Sequence, residues 1–327
     1  MSDHAVRIHA TGGPEVLRYE AVEVAPPGLG EALVRHKAVG VNFIDTYHRS
    51  GLYKLPALPH ALGLEAAGVV EAVGPDVTVV KPGDRVAYAG GPPGAYATRR
   101  TIAADKLVPL PDDIDAHTAA AGLLQGMTVE YLIRRAFRVE PGMTVLFHAA
   151  AGGVGLIACQ WLKHLGARVI GTVSSDAKAE RAHAAGCDHA IVYTREDFVA
   201  RVRALTDGEG VPVVYDSVGR TTFAGSLDCL RRRGTLVGFG NASGAPPPFD
   251  ALELARKGSL YLTRPTLFDY IATRDELLQS AEALWAVLRT GVVRLTVGQT
   301  WPLHEAVACH RALEARETVG SSLLQPG

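Results

Sequence analysis

The chain has 327 residues, a length that suggests about two domains, with 47% hydrophobic and 20% charged residues and ample material for a core. A formal net charge of −1 gives no drive toward nucleic acid or an anionic membrane, and no apolar run approaches spanning length. Met1-Ser-Asp-His-Ala5 lacks a signal-type apolar core, and Cys159, Cys187, Cys229 and Cys309 are widely spaced without a C-x-x-C pair, so a reducing, cytoplasmic setting is expected.

Residues 1–125 alternate short valine-rich runs (32–41, 68–73, 85–89) with the turns Pro26-Pro27-Gly28, Lys81-Pro-Gly-Asp84 and Gly90-Gly-Pro-Pro-Gly94. This pattern predicts a β-rich domain, a partly closed barrel. Residues 116–124 and 127–137 read as two helices. From 126 to 264 strands are expected near 145–149, 168–173, 190–192, 212–216, 235–239 and 259–263, with helices between them. Such alternation predicts a doubly wound parallel sheet. The basic run Arg231-Arg-Arg233 reads as cations closing a helix over 222–230. After Pro265 a helix (274–290), a short strand and a last helix (303–316) remain, too few strands for a third domain. The fold class is therefore α/β: a β-rich domain at 1–125, completed by 265–327, and a sheet domain at 126–264.

The central stretch is Val145-Leu-Phe-His-Ala-Ala-Ala-Gly-Gly-Val-Gly155. An apolar run leads into a small-residue turn. A helix follows with Val154, Ile157, Ala158, Trp161, Leu162 and Leu165 on one face, and then Arg168-Val-Ile-Gly-Thr-Val173 reads as a second strand. This βαβ pattern binds dinucleotides. Gly152 admits a pyrophosphate to the backbone, Gly155 allows close helix–strand packing, and N–H groups at Gly153, Val154 and Gly155 attract the anion. Ala150 stands in the first glycine position of the G-x-G-x-x-G fingerprint.

Gly12-Gly-Pro-Glu-Val-Leu17, Val41-Asn-Phe-Ile-Asp-Thr-Tyr47, Gly63-Leu-Glu-Ala-Ala-Gly68, the 149–155 turn, Tyr215-Asp-Ser-Val-Gly219 and Gly320-Ser-Ser-Leu-Leu324 are spread from end to end. With them the chain resembles the quinone oxidoreductases of the zeta-crystallin type, in the medium-chain dehydrogenase/reductase superfamily. The resemblance implies a GroES-like barrel plus a Rossmann domain. Zinc-dependent relatives show Gly-His-Glu where this chain has Gly63-Leu64-Glu65, and a cysteine where it has Asn42. Leucine offers no donor to zinc, and Glu65 with Asp45 cannot supply three ligands. His48, His60 and His148 lack metal-ligand spacing, so no metal is expected.

At the end of the second βαβ strand, where NAD sites place an acid for the ribose 2′-OH, stand Ser174 and Ser175, with Lys178 a turn later. Hydroxyls and an ammonium suit a 2′-phosphate, which points to NADPH. Asp176 reads as an N-capping or first-turn acid of the next helix. The resemblance adds Lys178, Tyr193 and Arg316 as phosphate or cofactor contacts. Further contacts are expected at strand ends: Ser217 and Gly219; Phe239, Gly240, Asn241 and Ser243; Thr263 and Arg264. Asn42, Phe43, Asp45, Thr46 and Tyr47 should line the barrel side, with Thr128 and Tyr131 at the domain junction.

Three functions follow. The first is zinc-free reduction of a quinone by NADPH, the acceptor stacked on the nicotinamide in the cleft between the domains, with Asn42 and Tyr47 hydrogen-bonding it. The second is reduction of an enone, alkenal or enoyl double bond, with Tyr53 as acid. The third is an NADPH-binding structural or RNA-binding protein, which the lack of a basic surface disfavours. A homodimer joined near 259–263 is implied by the resemblance. No nucleic acid or membrane partner is expected.

Overall fold

Period-two burial shapes the first part of the chain. The computed structural model describes residues 2–327. Strands β1 (Asp3–Ile8) and β2 (Leu17–Val22) pair antiparallel. In β3 (Glu31–Val41) buried and more exposed residues alternate as far as Lys37, and the strand is then wholly buried from Ala38. Helix α1 (Phe43–Ser50) follows, ended by Gly51 at φ 84°. Next come β4 (His60–Ala61), β5 (Glu65–Val73), β6 (Arg85–Ala89), β7 (Arg99–Ala103) and β8 (Val108–Pro109).

Helix α2 (Ala116–Tyr131) corrects the expectation of two helices, because it runs through Gly126 and continues as a π-helical turn over Leu132–Ala136. Gly126 serves packing and does not break the helix: a Cβ there would lie 2.4 Å from Leu284 Cδ1.

The parallel sheet is built from β9 (Thr144–Phe147), α3 (Gly153–His164), β10 (Arg168–Val173), α4 (Asp176–Ala184), β11 (His189–Val192), α5 (Phe198–Leu205), β12 (Val211–Asp216), α6 (Phe223–Asp228), β13 (Leu230–Gly238), α7 (Leu252–Arg256), β14 (Tyr261–Thr263) and α8 (Leu267–Tyr270). Strand order is β11-β10-β9-β12-β13-β14, with every pairing parallel. All six residues of β12 are buried, as a strand covered on both faces requires. Leu146, Ile170, Ile191, Val214 and Leu236 anchor its core. The order reverses between β9 and β12, so a crevice opens at their carboxyl ends.

Arg231-Arg-Arg233 is a second correction. Helix α6 stops at Asp228 and the triplet lies within β13. Leu230 pairs with Val211 and the ladder resumes at Thr235 opposite Val213. Between them the arginines form an exposed irregularity, with Arg233 at φ 58°.

The tail holds α9 (Arg274–Arg289), β15 (Val297–Pro302), α10 (Ala306–Glu314) and β16 (Ser321–Gln325). β16 pairs antiparallel with β3 and carries β15 beside it, giving a sheet of order β15-β16-β3-β5-β6-β8 with β7 also on β3. By compactness the chain divides into one unit of residues up to 126 with 271–285 and 295–327, and another of 127–270 with 286–294. Among the described residues no helix is long and apolar enough to cross a membrane.

Candidate active site

In the second unit the glycine turn leaves β9 through Ala149, which adopts φ 55°. Gly152 N–H donates to Ala149 O at 2.9 Å and Ala150 N–H to Thr172 O at 3.1 Å, tying the turn to β10. A Cβ at Gly155 would lie 2.3 Å from Ala149 O, so no side chain fits there. Gly152 is exposed, and a Cβ there would meet only Ala149 O, at 3.3 Å. The alanine in the first fingerprint position is accommodated from across the sheet. A Cβ at Gly171 would sit 2.5 Å from Ala150 Cβ, so the missing side chain has moved to β10. The opening N–H groups of α3, from Gly153, Val154 and Gly155, have no acceptor within the helix and can hold a phosphate.

Ser174 and Ser175 follow β10. The Ser175 hydroxyl caps α4 by accepting Lys178 N–H at 3.4 Å, which makes Asp176 a first-turn acid and not the cap. Lys178 is half-buried in that first turn, and the exposed Tyr193, just past the end of β11, donates its N–H to Val173 O at 3.1 Å. Asp176 is gripped by both terminal nitrogens of Arg195, at 2.5 and 2.6 Å.

Beyond β12 a buried polar chain organises the next two loops. Asp216 Oδ1 accepts Val218 N–H at 2.8 Å and Gly219 N–H at 3.1 Å, while Oδ2 accepts the Thr222 and Ser226 hydroxyls at 2.7 and 2.9 Å. Because Ser226 spends its hydrogen on Asp216, it accepts His148 Nε2–H at 3.0 Å, and His148 Nδ1 in turn accepts the Thr172 hydroxyl at 2.8 Å. Burial holds the His148 imidazole below its usual pKa and so neutral. Thr172, His148 and Asp216 thus lock the ends of β10, β9 and β12 together.

Ser217 and Gly219 are brought against the 239–243 loop: a Cβ at Gly240 would lie 2.6 Å from Ser217 O, and Ser243 Oγ donates to Val218 O at 2.8 Å. Phe239 packs on Phe147 with ring centroids 5.8 Å apart, and Asn241 is buried. Ser243 therefore braces its loop. Thr263 ends β14, and the exposed Arg264 donates to Pro265 O at 3.0 Å. Thr128 is buried one turn before Tyr131, whose ring stacks on Tyr270 at 4.5 Å.

In the first unit α1 presents the remaining residues. Asn42 is buried, donating one amide N–H to Glu65 Oε2 at 2.7 Å and accepting Gln125 Nε2–H at 3.3 Å. Glu65 Oε1 accepts Leu124 N–H at 2.7 Å, and burial pushes the Glu65 carboxyl up to about 8. Phe43 is half-buried at the start of α1. Tyr47 is nearly buried and meets Tyr53 edge-on at 5.2 Å.

Asp45 and Thr46 turn side-chain oxygens to partners within this unit. Asp45 is fully buried, with Oδ2 accepting Asn42 N–H and the Tyr96 hydroxyl, both at 2.9 Å. Thr46 turns its hydroxyl to Phe43 O at 2.7 Å. A chain runs on behind Asp45: Arg49 donates to His310 Nδ1 at 3.0 Å, so His310 Nε2–H donates to Tyr96 at 3.0 Å. Burial lifts Asp45 to about 7 and lowers His310 to about 3. Arg316 is exposed just past α10, at φ 61°.

The Glu65–Asn42–Gln125 brace, the Asp45–Arg49 chain and the His148–Asp216 chain were missed by sequence reasoning. A lone polar residue inside an apolar run (His148, Tyr96) was the signal available.

Comparison with known proteins defines the class first. Residues 28–112 match the model of the alcohol dehydrogenase GroES-like domain and 153–281 that of the zinc-binding dehydrogenases, the two halves of a medium-chain dehydrogenase/reductase. The chain is 52% identical to the quinone oxidoreductase of Pseudomonas aeruginosa over 98% of this chain and 99% of that one. A crystal structure of Escherichia coli quinone oxidoreductase complexed with NADPH superposes with a TM-score of 0.97 at 50% identity, covering 99% of this chain and 100% of that one. A 2-haloacrylate reductase from Burkholderia sp is 46% identical over 98% of each chain. The chain belongs to the quinone oxidoreductase family, and it is an oxidoreductase.

Proposed function

We propose that this protein reduces quinones with NADPH and without zinc. The observation that carries the proposal is the full-length similarity to quinone oxidoreductases at 52% identity. The residues suit the cofactor: a Cβ at Gly155 would run into Ala149 O, Gly152 is open to solvent, and Ser175 and Lys178 offer a hydroxyl and an ammonium just past β10 for a 2′-phosphate. When bound, NADPH supplies the hydride. The chain's part is to hold the pyrophosphate on the N–H groups of 153–155 and to orient the acceptor with Tyr47 and the second amide N–H of Asn42. Ser217, Gly240, Asn241, Thr263, Arg264 and Tyr131 are proposed as further contacts of the cofactor. A quinone delocalises the charge it receives and takes protons from water, so orientation is the main contribution of the protein.

Leu64 is a core residue and the Asn42 amide is committed to Glu65 and Gln125, so the donor set does not suit zinc. In one experiment, Lys178→Ala is expected to weaken NADPH by about 10–100-fold, the loss of a charge-assisted hydrogen bond, with NADH hardly changed. Equal weakening of both cofactors would remove Lys178 from phosphate recognition. Wild-type activity should survive a chelator, and stoichiometric zinc by elemental analysis would end the zinc-free reading.

The 2-haloacrylate reductase relative favours a second reading, reduction of a polarised carbon–carbon double bond. That chemistry gains from a positioned acid, and Tyr53, in contact with Tyr47, is the candidate. Tyr47→Phe and Tyr53→Phe should each slow quinone reduction by no more than about tenfold, since one neutral hydrogen bond contributes about 0.5–1.5 kcal/mol. A thousandfold loss with NADPH binding intact would favour the double-bond reductase.

We further read the protein as a cytoplasmic homodimer. The four cysteines are unpaired, and β14 is a sheet edge whose Tyr261 is 61% exposed. Sedimentation at micromolar concentration should find two copies, and a monomer would overturn this assignment.

A further inference from the structure

Asp176 occupies a position that should work against the cofactor proposed above. It opens α4 directly after Ser175, next to the position where dinucleotide folds place the acid that binds a ribose 2′-OH. Its carboxylate is exposed, and a bare carboxylate there repels a 2′-phosphate held by Ser175 and Lys178.

The backbone delivers a cation to cancel it. β11 runs parallel to β10 with Val192 opposite Val173. Past the strand ends the two chains stay in step: Tyr193 N–H donates to Val173 O at 3.1 Å and the Thr194 hydroxyl to Ser174 O at 3.3 Å. Arg195 is then opposite Asp176, and its N–H closes a turn on Val192 O at 3.1 Å. The guanidinium meets the carboxylate with two bonds, at 2.6 and 2.5 Å. The neighbouring Glu196 does not compete for Arg195, because it accepts Val192 N–H at 3.0 Å and pairs with Arg201 at 3.2 Å.

We propose that Arg195 is a cofactor-specificity residue acting through Asp176: the bidentate bridge withholds a carboxylate that would otherwise exclude a 2′-phosphate and favour a 2′-OH. The proposal rests on the NADPH reading, and it makes Arg195 a positioning residue with no contact of its own to the cofactor.

The test is a double-mutant cycle of Arg195→Gln and Asp176→Asn, with KM for NADPH and for NADH measured using 1,4-benzoquinone as acceptor. A doubly charged phosphate about 6 Å from a carboxylate in water is disfavoured by about tenfold, so R195Q should raise the KM for NADPH by about that factor, and less at high salt. The KM for NADH should stay within about twofold, and kcat should be unchanged. The double variant R195Q/D176N has neither charge, so its KM for NADPH should lie within about threefold of wild type. If the tenfold loss persists in the double variant relative to wild type, Arg195 touches the phosphate directly and the proposal is wrong. It is equally wrong if R195Q changes neither cofactor or both alike. A wild-type enzyme without preference for NADPH would instead refute the cofactor reading, before any variant is made. Both side chains are more than half exposed, so thermal midpoints should be unaltered across the four proteins.

Discussion

Asp216→Ala should destabilise the sheet unit by about 3–5 kcal/mol and raise the KM for NADPH by at least tenfold, because one carboxylate satisfies two backbone N–H groups and two hydroxyls. Asp216 is only 2% exposed, so water cannot replace the lost acceptor. The loop that begins at Ser217 would lose the anchor of its N–H groups.

Asp216→Asn is a sharper test of the same chain. An amide oxygen can keep Val218 and Gly219, while its NH₂ faces the Ser226 hydroxyl. Ser226 must then donate to His148 Nε2, and His148 must donate from Nδ1 to Thr172, which reverses the proton order along the whole chain. That variant should cost only about 1–2 kcal/mol and convert His148 from the Nε2–H to the Nδ1–H tautomer. Nitrogen NMR of the imidazole reads this directly, and an unchanged tautomer would refute the chain of donors.

The second large effect is a loss of stability in the first unit as pH rises from about 6.5 to 8.5. Burial raises Asp45 to about 7 and Glu65 to about 8, so both carboxyls are held protonated in the folded state well above their unfolded values. An acid with a raised folded pKa contributes stability that is complete below its unfolded pKa and gone above its folded one. His36, lowered to about 4, and His310, lowered to about 3, both chiefly by burial, have the opposite slope, but only below the ordinary histidine range near 6.5. Between the carboxylate range and pH 6.5 the two effects oppose each other. Above it the carboxyls act alone, and at about 1.4 kcal/mol per proton per pH unit the loss is about 2–3 kcal/mol. A fall of several degrees in thermal midpoint is expected, and Glu65→Gln, which has no proton to lose, should remove about two-thirds of it. A midpoint that rises over this interval would show that both groups are ionised in the folded protein.

Near-neighbour pattern was enough to recognise the dinucleotide unit. The run Val145–Phe147, the glycines at 152, 153 and 155, and the apolar face from Val154 to Leu165 all act within a few residues of one another, through strand alternation, helical period and backbone sterics. The spacing of Ser175 and Lys178, one helical turn at the start of α4, is local in the same way. The break expected between residues 124 and 127 is absent: Gly126 lies inside α2, where it admits Leu284, a residue far along the chain. The Arg231–Arg233 run misled, since its place in β13 depends on Val211 and Val213.

Packing between distant segments decides which polar residues point inward and at what. Asp45 is joined to Tyr96, and through it to His310 and Arg49, two of them from segments far along the chain. Asp216 reaches His148 through Ser226, and Asp176 is neutralised by Arg195 from the next strand. Local periodicity and the sterics of glycine are enough to specify the α/β architecture and the glycine turn after β9. The buried hydrogen-bond chains belong to the folded state, because a donor finds its acceptor only once packing has removed the water that served both.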